Sequence, residues 1–436
     1  MSGDTPRPAG DGLYQAFWRW HFHAGLLVLP FLMLLALTGG VYLFHQEIDS
    51  ALRRDLETVA ARPIATAPSD WAVAAESVAS GRLVQVIPPA APGQSARMVM
   101  EDGVRTTVYV DPADGSVLGL VRDGGFTEWI RRLHSLEHFG SVANLLVEVV
   151  AGWAIVLVAT GVFLWRPRGR KGGVVTVRGQ PRQRLFWRDL HAVTGLFAGA
   201  VIVFLAVTGM PWSAVWGDKV REMTNAAGLG RPKPPAAATS WTAGDAGKGL
   251  PWALQDGQMA AAGGGLSLDQ AVARVQASDL GRPFVLSIPR EPGKTWAASH
   301  MPGKVEGTRT LYLSPADGRI LADIGYDRFG PAAKAIEWGI AVHQGEQYGW
   351  INRYLMLAGC VAVWLLGISA VVMWWKRRPK GRLAAPRRPA NARAYLGLVA
   401  VVAPLALLYP LVGVSLVLAL ALDLVLRRFI PAFRTA

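Results

Sequence analysis

The chain is poor in cysteine and in charge. Cys360 is the one cysteine among 436 residues, which excludes a disulfide framework, a thiolate metal cluster and covalent haem attachment through Cys-x-x-Cys-His. Charged residues make up 17% of the sequence and hydrophobic residues 51%, and the mean hydropathy is +0.26. A soluble protein of this length would carry more charge, so the composition favours a membrane protein.

Two further patterns are missing. There is no glycine-rich nucleotide-binding fingerprint, so we expect no flavin or nicotinamide module in the chain. The first apolar run is long and lacks a small-residue cleavage site, so we expect no cleavable signal peptide. The net charge of +14 could suit nucleic acid, but the Arg and Lys residues crowd beside apolar runs. That placement is typical of a membrane protein, and no nucleic-acid partner is expected.

Four apolar runs reach the length of about 20 residues that a helix needs to cross about 30 Å of hydrocarbon. They are Trp20–Phe44, Val142–Trp165, His191–Trp212 and Tyr354–Trp375. A fifth stretch, Tyr395–Leu426, is too long for one span, and Pro404 and the Tyr409-Pro410 pair interrupt it. We predict a helical hairpin there, with a tilted, kinked helix as the alternative.

The basic residues predict the orientation. Arg166–Arg188 and Lys376–Arg393 are rich in Arg and contain no acidic residue, and the tail adds Arg427, Arg428 and Arg434. Basic loops stay in the cytoplasm, so we predict a multi-pass protein of the bacterial inner membrane with both termini cytoplasmic. The predicted organisation is a first transmembrane helix in 1–45, an extracytoplasmic domain in 46–140, two helices and a basic loop in 141–216, a second extracytoplasmic domain in 217–349, a fourth helix in 350–376, and a basic loop with the hairpin in 377–436.

The two halves repeat the same motifs at fixed spacing. One set recurs after 170 residues: His21, Gly25-Leu26 and Thr38-Gly39 match His191, Gly195-Leu196 and Thr208-Gly209. Another recurs after 209 residues: His134, Thr160-Gly161 and Trp165 match His343, Ser369-Ala370 and Trp374. Such spacing indicates a duplicated unit of two membrane helices, and hence a four-helix transmembrane bundle.

The extracytoplasmic segments repeat as well. Val108–Leu118 and Leu311–Leu321 both alternate apolar residues before a Pro-x-Asp-Gly turn, which is a strand-turn-strand signal. A helical stretch, for example Ser267–Ser278, precedes the strands. We therefore predict two small α+β units in a protein that is otherwise mainly α.

At this point the sequence resembles the PepSY-associated transmembrane helix family, also called the iron-regulated membrane protein family. The resemblance covers about residues 14–380. It rests on the Trp-x-x-His…Gly-Leu opening, the Tyr-Val-Asp-Pro-x-x-Gly hairpin and the exits Trp165-Arg-Pro-Arg and Trp374-Trp-Lys-Arg-Arg. The resemblance implies PepSY-like extracytoplasmic domains and a ferric-siderophore reductase with two b-type haems. The hairpin Tyr395–Leu426 lies outside the family pattern.

Seven of the eight histidines lie in or beside the spans, where ionisable groups are functional candidates. Non-covalent haem is typically held by axial histidines from facing helices. A pseudo-twofold axis would pair His21 with His191 at the cytoplasmic end and His134 with His343 at the outer end, giving two sites for haem b iron. Each histidine alone could equally be an interfacial residue, but the symmetry match favours ligation.

Other residues are weaker candidates for the cofactor sites. His23 competes with His21, and His138 could be a ligand, a propionate partner or a surface residue. His45 could touch the outer haem or the substrate. Arg19 and Arg188 could bind haem propionates or simply anchor the helices. Close helix packing or the approach of a flat macrocycle could each explain the matched glycines, which are Gly25, Gly195, Gly39, Gly209 and Gly161.

The preferred function is a haem-dependent oxidoreductase that passes electrons outward to a ferric siderophore or another ferric chelate. Its electrons would come from quinol or a separate reductase, because no flavin- or nicotinamide-binding domain is expected in the chain. One alternative is a haem-free PepSY sensor or inhibitor of a periplasmic peptidase or partner. Another is a siderophore or metal transporter. The spans are expected to lack interior carboxylates, which counts against a transporter.

Overall fold

The computed structural model describes residues 9–167, 173–230, 232, 238–240, 257–259, 265–291, 294–378, 386, 389 and 391–429. The chain divides into two compact units. The membrane unit comprises Met1–Leu43, Arg132–Val220 and Tyr354–Ala436, and the extramembrane unit comprises Phe44–Arg131 and Arg221–Arg353. Parts of the predicted basic loops and tail, at 168–172, 379–385 and 430–436, lie outside the described residues.

Four long helices form the membrane unit, and each is long and apolar enough to cross a membrane. They are α1 (Ala9–Tyr42), α6 (Ser141–Trp165), α7 (Arg184–Gly209) and α11 (Gly349–Arg377). They confirm the four predicted runs, although α1, α7 and α11 begin several residues before the apolar stretch. A helix satisfies its backbone N–H and C=O groups internally, which lipid requires.

The fifth apolar stretch folds into two helices, α12 (Leu396–Leu408) and α13 (Pro410–Phe429). The break falls at Tyr409, whereas Pro404 stays inside α12. The two helices contact each other, and both contact α6. A Cβ atom on Gly152 of α6 would lie 2.2 Å from Val412 Cγ2, so only glycine permits this approach. The predicted division into two helices is confirmed, and α13 packs tightly on the second span. That the two helices are short membrane spans stays a prediction.

Shorter elements make up the rest of the chain. The helices are α2 (His45–Leu52), α3 (Arg54–Glu57), α4 (Pro68–Glu76), α5 (Gly125–His134), α8 (Trp216–Ala226), α9 (Leu268–Gln276) and α10 (Pro331–His343). The strands are β1 (Arg82–Ile87), β2 (Ala96–Asp102), β3 (Val104–Val110), β4 (Val117–Arg122), β5 (Ala238–Ser240), β6 (Gly257–Met259), β7 (Val285–Ser287), β8 (Trp296–His300), β9 (Arg309–Leu313) and β10 (Ile320–Gly325). The strand-turn-strand signals correspond to β3–β4 and β9–β10, as predicted.

Eight strands form one antiparallel sheet in the order β10-β9-β8-β7-β1-β2-β3-β4. The four strands of each repeat are neighbours, and β1 pairs with β7 at the seam, with Gln85 opposite Ser287 and Val86 opposite Leu286. The sequence predicts two separate α+β units. Their strands instead join edge to edge, because two unpaired edge strands can satisfy their backbone groups by pairing with each other.

Two equivalent helices, α4 and α9, cover one face of this sheet and contact each other. Ser267 begins α9 with a capping box, in which its hydroxyl accepts from Gln270 N and the Gln270 side chain accepts from Ser267 N. Ser69 of α4 donates from its backbone N and its hydroxyl to the Asp269 carboxylate of α9, at 2.7 and 2.8 Å. The duplicated halves are therefore joined on the helical layer as well as along the seam.

Candidate functional site

One side chain from each of the four membrane helices meets in what we call the His21–His191 site. It consists of His21 on α1, Thr160 on α6, His191 on α7 and Ser369 on α11. His21 Nδ1 lies 2.9 Å from Thr160 Oγ1, and His191 Nδ1 lies 3.0 Å from Ser369 Oγ. Both hydroxyl residues are buried, Thr160 at 1% exposed and Ser369 at 0%. The second half thus repeats the geometry of the first.

The two imidazole rings lie close together in an edge-on arrangement. Their centroids are 6.3 Å apart, and their planes are inclined by 89°. An iron atom bonded to one nitrogen of each ring at about 2 Å, with each nitrogen about 1 Å from its ring centre, would separate the centroids by about 6 Å. The observed spacing therefore fits a bis-histidine haem.

The hydrogen bonds assign the tautomer of both rings. Thr160 Oγ1 donates its one proton to the Val156 carbonyl at 2.8 Å, so it can only accept from His21. At the other ring, His191 Nδ1 lies 3.1 Å from the Leu366 carbonyl, and a carbonyl oxygen only accepts. Both histidines therefore carry their proton on Nδ1. Nε2 is left with the lone pair that a metal ion binds.

The sequence leaves open the role of the repeated Thr-Gly motif. In the structure, these residues lie against the imidazole rings. A Cβ atom on Gly161 would lie 3.4 Å from His21 Cε1, so the residue after the hydroxyl has to be small. Ala370 occupies the equivalent position in the second half. Gly25 and Gly195 instead lie beside Leu157 and Leu366, which supports the packing interpretation for those two.

A third histidine is seated in the same way, in what we call the His134 site. His134 ends α5, and its Nδ1 lies 3.0 Å from Thr38 Oγ1 of α1. Thr38 donates to the Leu34 carbonyl at 2.8 Å, so it accepts from His134, and a Cβ atom on Gly39 would lie 3.1 Å from the ring. The repeat equivalent, His343, ends α10 in the extramembrane unit. The pairing of His134 with His343 stays a prediction.

The other candidate histidines occupy different surroundings. The His23 ring packs edge-on against Phe22, and it is His21 whose ring lies opposite His191. His138 is exposed in a short 3₁₀ turn, Glu137–Phe139. His300 Nδ1 donates to the Pro283 carbonyl at 2.7 Å. His300 is thus bonded to a carbonyl oxygen, unlike the hydroxyl-bonded His21.

His45 belongs to a polar cluster in the extramembrane unit. Its Nε2 lies 3.7 Å from Glu346 Oε1, and Gln46 donates to the same oxygen at 3.0 Å. Burial raises the pKa of Glu346, although the nearby His45 and Arg353 oppose that shift. Arg353 also pairs with Glu47. This cluster is a charge network within that unit, and a substrate or haem contact for His45 stays a prediction.

The two arginines expected at haem propionates both have protein partners. Arg19 Nη1 donates to the Pro386 carbonyl at 2.6 Å. Arg188 Nη2 pairs with Asp189 at 2.7 Å, and Arg178 Nε pairs with the same carboxylate at 2.8 Å. Asp189 is only 1% exposed. These contacts fasten the helix starts to the adjoining loops, and the propionate role stays a prediction.

The expectation that the spans lack interior carboxylates is wrong. Glu148 lies within α6, inside the predicted run Val142–Trp165, and is 1% exposed. Glu148 Oε2 accepts from the backbone N of Trp216 at 3.0 Å, at the start of α8. The Trp216 ring in turn packs against Tyr409, with ring centroids 5.7 Å apart. Asp189 is also 1% exposed, but it lies near the start of α7, before the predicted run His191–Trp212. Glu148 is visible in the sequence, but the hydropathy of its run masks it.

The described residues contain no group of three or more His, Cys, Asp or Glu side chains that could hold a metal ion. A haem iron needs only two axial protein ligands, so a pair of imidazoles suffices for it.

Comparison with known proteins places the chain in a family. A family model described as the PepSY-associated TM region matches residues 18–377. The chain belongs to this family. The match begins just before His21 and ends with α11, so the hairpin α12–α13 lies beyond it. No curated protein matches the chain. This PepSY-associated TM protein is therefore a membrane protein, as its four spans indicate.

Proposed function

We propose that this protein is a di-haem b reductase of the bacterial inner membrane, which transfers electrons to a periplasmic ferric chelate, in particular a ferric siderophore. The observation that carries the proposal is the His21–His191 site. It has two part-buried rings with centroids 6.3 Å apart, and the hydrogen bonds place the proton of each ring on Nδ1. One ring comes from each of the two matching sequence motifs.

The histidines and the hydroxyl residues have different roles in the proposed reductase. His21 and His191 would hold the first haem through Nε2, and Thr160 and Ser369 orient their rings. His134 and His343 would hold the second. When bound, the haems supply one-electron transfer. Iron(III) prefers the hard oxygen donors of a siderophore more strongly than iron(II) does, so reduction would labilise the bound metal.

The proposed orientation places the basic loops in the cytoplasm and the extramembrane unit in the periplasm. Electrons would then enter on the cytoplasmic side from quinol or a separate reductase, and leave on the periplasmic side. Alkaline phosphatase fused at Ala91 should be active, whereas fusions at Arg170 or Lys380, which lie outside the described residues, should be inactive. High activity at Arg170 or Lys380 would reverse the assigned orientation.

Haem stoichiometry is the most direct test. Protein purified in detergent after haem-sufficient expression should give two haems per chain by the pyridine haemochromogen assay. It should also show the Soret and α bands of bis-histidine haem b. A colourless protein would refute the reductase and favour the haem-free PepSY sensor.

The direction of transfer is tested in vesicles of defined orientation. Pre-reduced protein should be reoxidised by a membrane-impermeant ferric siderophore on the face that carries the extramembrane unit. His343→Ala should abolish this reoxidation and leave the His21–His191 haem reducible. Equal reoxidation from the opposite face would overturn the proposed direction.

A transporter remains the second candidate, because Glu148 is a buried carboxylate inside a membrane helix. Radiolabelled ferric siderophore should not accumulate inside sealed vesicles if the protein only transfers electrons. Accumulation that is lost in Glu148→Gln would instead identify a transporter.

A further inference from the structure

The hydroxyl groups of the His21–His191 site do more than fill space. Thr160 is back-bonded to Val156 O at 2.8 Å and Ser369 to Leu366 O at 3.0 Å. Each hydroxyl proton is therefore committed to the helix backbone four or three residues earlier. Each hydroxyl oxygen can therefore only accept a hydrogen bond from the imidazole, so the imidazole Nδ1–H must be the donor.

The same arrangement recurs at Thr38, and its backbone hydrogen bond recurs at Thr208. Thr38 donates to Leu34 O at 2.8 Å while its oxygen faces His134 Nδ1 at 3.0 Å. Thr208, which matches Thr38 in the repeat, donates to Phe204 O at 2.6 Å. Because Ser and Thr in helix interiors slightly destabilise and bend the helix, four such hydroxyls at fixed spacing are unlike residues chosen for packing alone.

Accepting a hydrogen bond from Nδ1–H raises the basicity of Nε2 in the same ring. A more basic axial ligand stabilises ferric iron relative to ferrous iron, and this lowers the reduction potential of a haem. The hydroxyls also fix ring rotation, so that both Nε2 atoms are presented in one orientation.

Resting on the proposed function, we infer that Thr160 and Ser369 are positioning residues that lock His21 and His191 as Nδ1-protonated, strongly donating imidazoles. They thereby set the reduction potential of the haem held between the rings. Neither hydroxyl touches the iron. Each acts through the histidine to which it is bonded.

The test uses the full-length protein and near-isosteric variants. Thr160→Val and Ser369→Ala remove the accepting oxygen and keep the volume, whereas Thr160→Ser keeps the oxygen and removes a methyl group. The readouts are the midpoint potential of each haem by spectroscopic redox titration and the rate of haem loss to an excess of apomyoglobin.

Thr160→Val should raise the potential of one haem and leave the other unchanged. Haem loss should become about 10-fold faster, the lower end of the usual range for removing a group that orients a ligand. Ser369→Ala should also raise the potential of this haem and speed its loss, by acting on His191. The Leu366 carbonyl remains 3.1 Å from His191 Nδ1 in this variant. The double variant should raise the potential further than either single variant, because the hydroxyls act on separate rings.

Two variants separate this proposal from simple packing. Thr160→Ser should keep the native potential. Ser415→Ala removes another back-bonded hydroxyl, whose oxygen accepts from Trp153 Nε1 at 2.9 Å, and should leave both potentials unchanged. The inference is overturned if Thr160→Val does not change the reduction potential. It is also overturned if Thr160→Ser or Ser415→Ala shifts the potential as much as Thr160→Val does.

Failure of the proposed function would look different. If the unmodified protein binds no haem, or if His21→Ala and His191→Ala leave both haems in place, the reductase proposal fails. If haem binding depends on these histidines but the hydroxyl variants behave like the native protein, only the positioning role fails.

Discussion

The membrane unit and the extramembrane unit use the same duplication in different ways. In the bundle, α1 and α7 each contribute a histidine, and α6 and α11 each contribute its hydroxyl partner, so the repeats form one shared site. In the sheet, the repeats join along β1 and β7 into eight continuous strands. At that seam one pair, Val86 and Leu286, is fully buried and apolar, and the other pair, Gln85 and Ser287, is polar.

The difference lies in which groups are left unsatisfied. The backbone N–H and C=O groups of a membrane helix bond within that helix. Hydrogen bonds across the bundle must therefore involve at least one side chain. Strands leave a backbone edge that must find a partner. Duplication of a helix pair therefore generates paired side-chain sites, and duplication of a strand group generates a wider sheet. Chemistry is expected in the bundle and structural stability in the sheet.

The largest expected effect is the loss of a whole haem. His21→Ala or His191→Ala should reduce the haem content from two to one per chain, because each removes an axial ligand. The measurement is haem per chain after purification. His23→Ala, two residues away, and His300→Ala, in the extramembrane unit, are matched controls that should keep both haems. Loss of a haem in His23→Ala alone would move the ligand to that position.

A large effect confined to the sheet should follow from Leu286→Ala. Leu286 is 0% exposed at the seam, so its truncation should destabilise the extramembrane unit by about 2–5 kcal/mol. Hydrogen exchange of seam peptides measures this. Val104→Ala, at a side chain 50% exposed, is the control and should change little. The absorbance of the His21–His191 haem should be unchanged, and its loss in step with the sheet would contradict the division of roles.

Docking of the hairpin on the bundle should be sensitive to one methyl group. Gly152→Ala would place a Cβ atom 2.2 Å from Val412 Cγ2, and the overpacking should cost about 1–3 kcal/mol. Faster protease cleavage near Tyr409 would report release of α13. Gly25→Ala, whose Cβ would lie 3.9 Å from Leu157, is the control. Adding Val412→Ala should restore docking, and a failure of this rescue would reject the steric explanation.

The smallest effect concerns pH and the extramembrane unit. Burial raises the pKa of Glu346 above its ordinary value of 4.5. As pH rises past 4.5 the unfolded chain loses this proton while the folded unit keeps it, so stability falls until the raised pKa is passed. Glu346→Gln should flatten that decline in thermal unfolding measured against pH.

Asp114 provides a control of opposite sign. Hydrogen bonds from Ser116 and Arg62 lower its pKa from 3.8 to about 2. Its contribution is therefore present above pH 3.8 and is lost as pH falls towards about 2. Asp114→Asn should weaken the unit at neutral pH and leave the slope above pH 4.5 unchanged. If stability still falls with rising pH above 4.5 in Glu346→Gln, the buried Glu346 carboxyl does not cause that decline.

Much of the architecture could be predicted because it depends on local patterns. The four spans follow from apolar runs, and the β3–β4 and β9–β10 hairpins follow from alternation before a Pro-x-Asp-Gly turn. The break at Tyr409 follows from Tyr409-Pro410, because proline restricts the residue before it. Each of these signals lies within a stretch of neighbouring residues, so distant parts of the chain do not alter it.

The candidate site could be predicted only in part. Fixed spacing singled out His21, His191 and the Thr-Gly motif, but it gave no reason to link Thr160 with His21 rather than with helix packing. The burial of Glu148 was missed because the average hydropathy of α6 hides one acid. The joining of the two α+β units was missed because strand pairing across a seam leaves no periodic signal.

By itself, the sequence determined that the chain is a membrane protein with four spans, motifs that repeat at fixed spacing and histidines at matching positions in those motifs. These properties are one-dimensional: run length, composition and spacing. Only the tertiary structure decided that His21 lies opposite His191, that buried hydroxyls fix both tautomers, and that β1 meets β7. The physical reason is that hydrogen bonds between residues 139 or 178 positions apart depend on how the helices pack. Local preference cannot specify that packing.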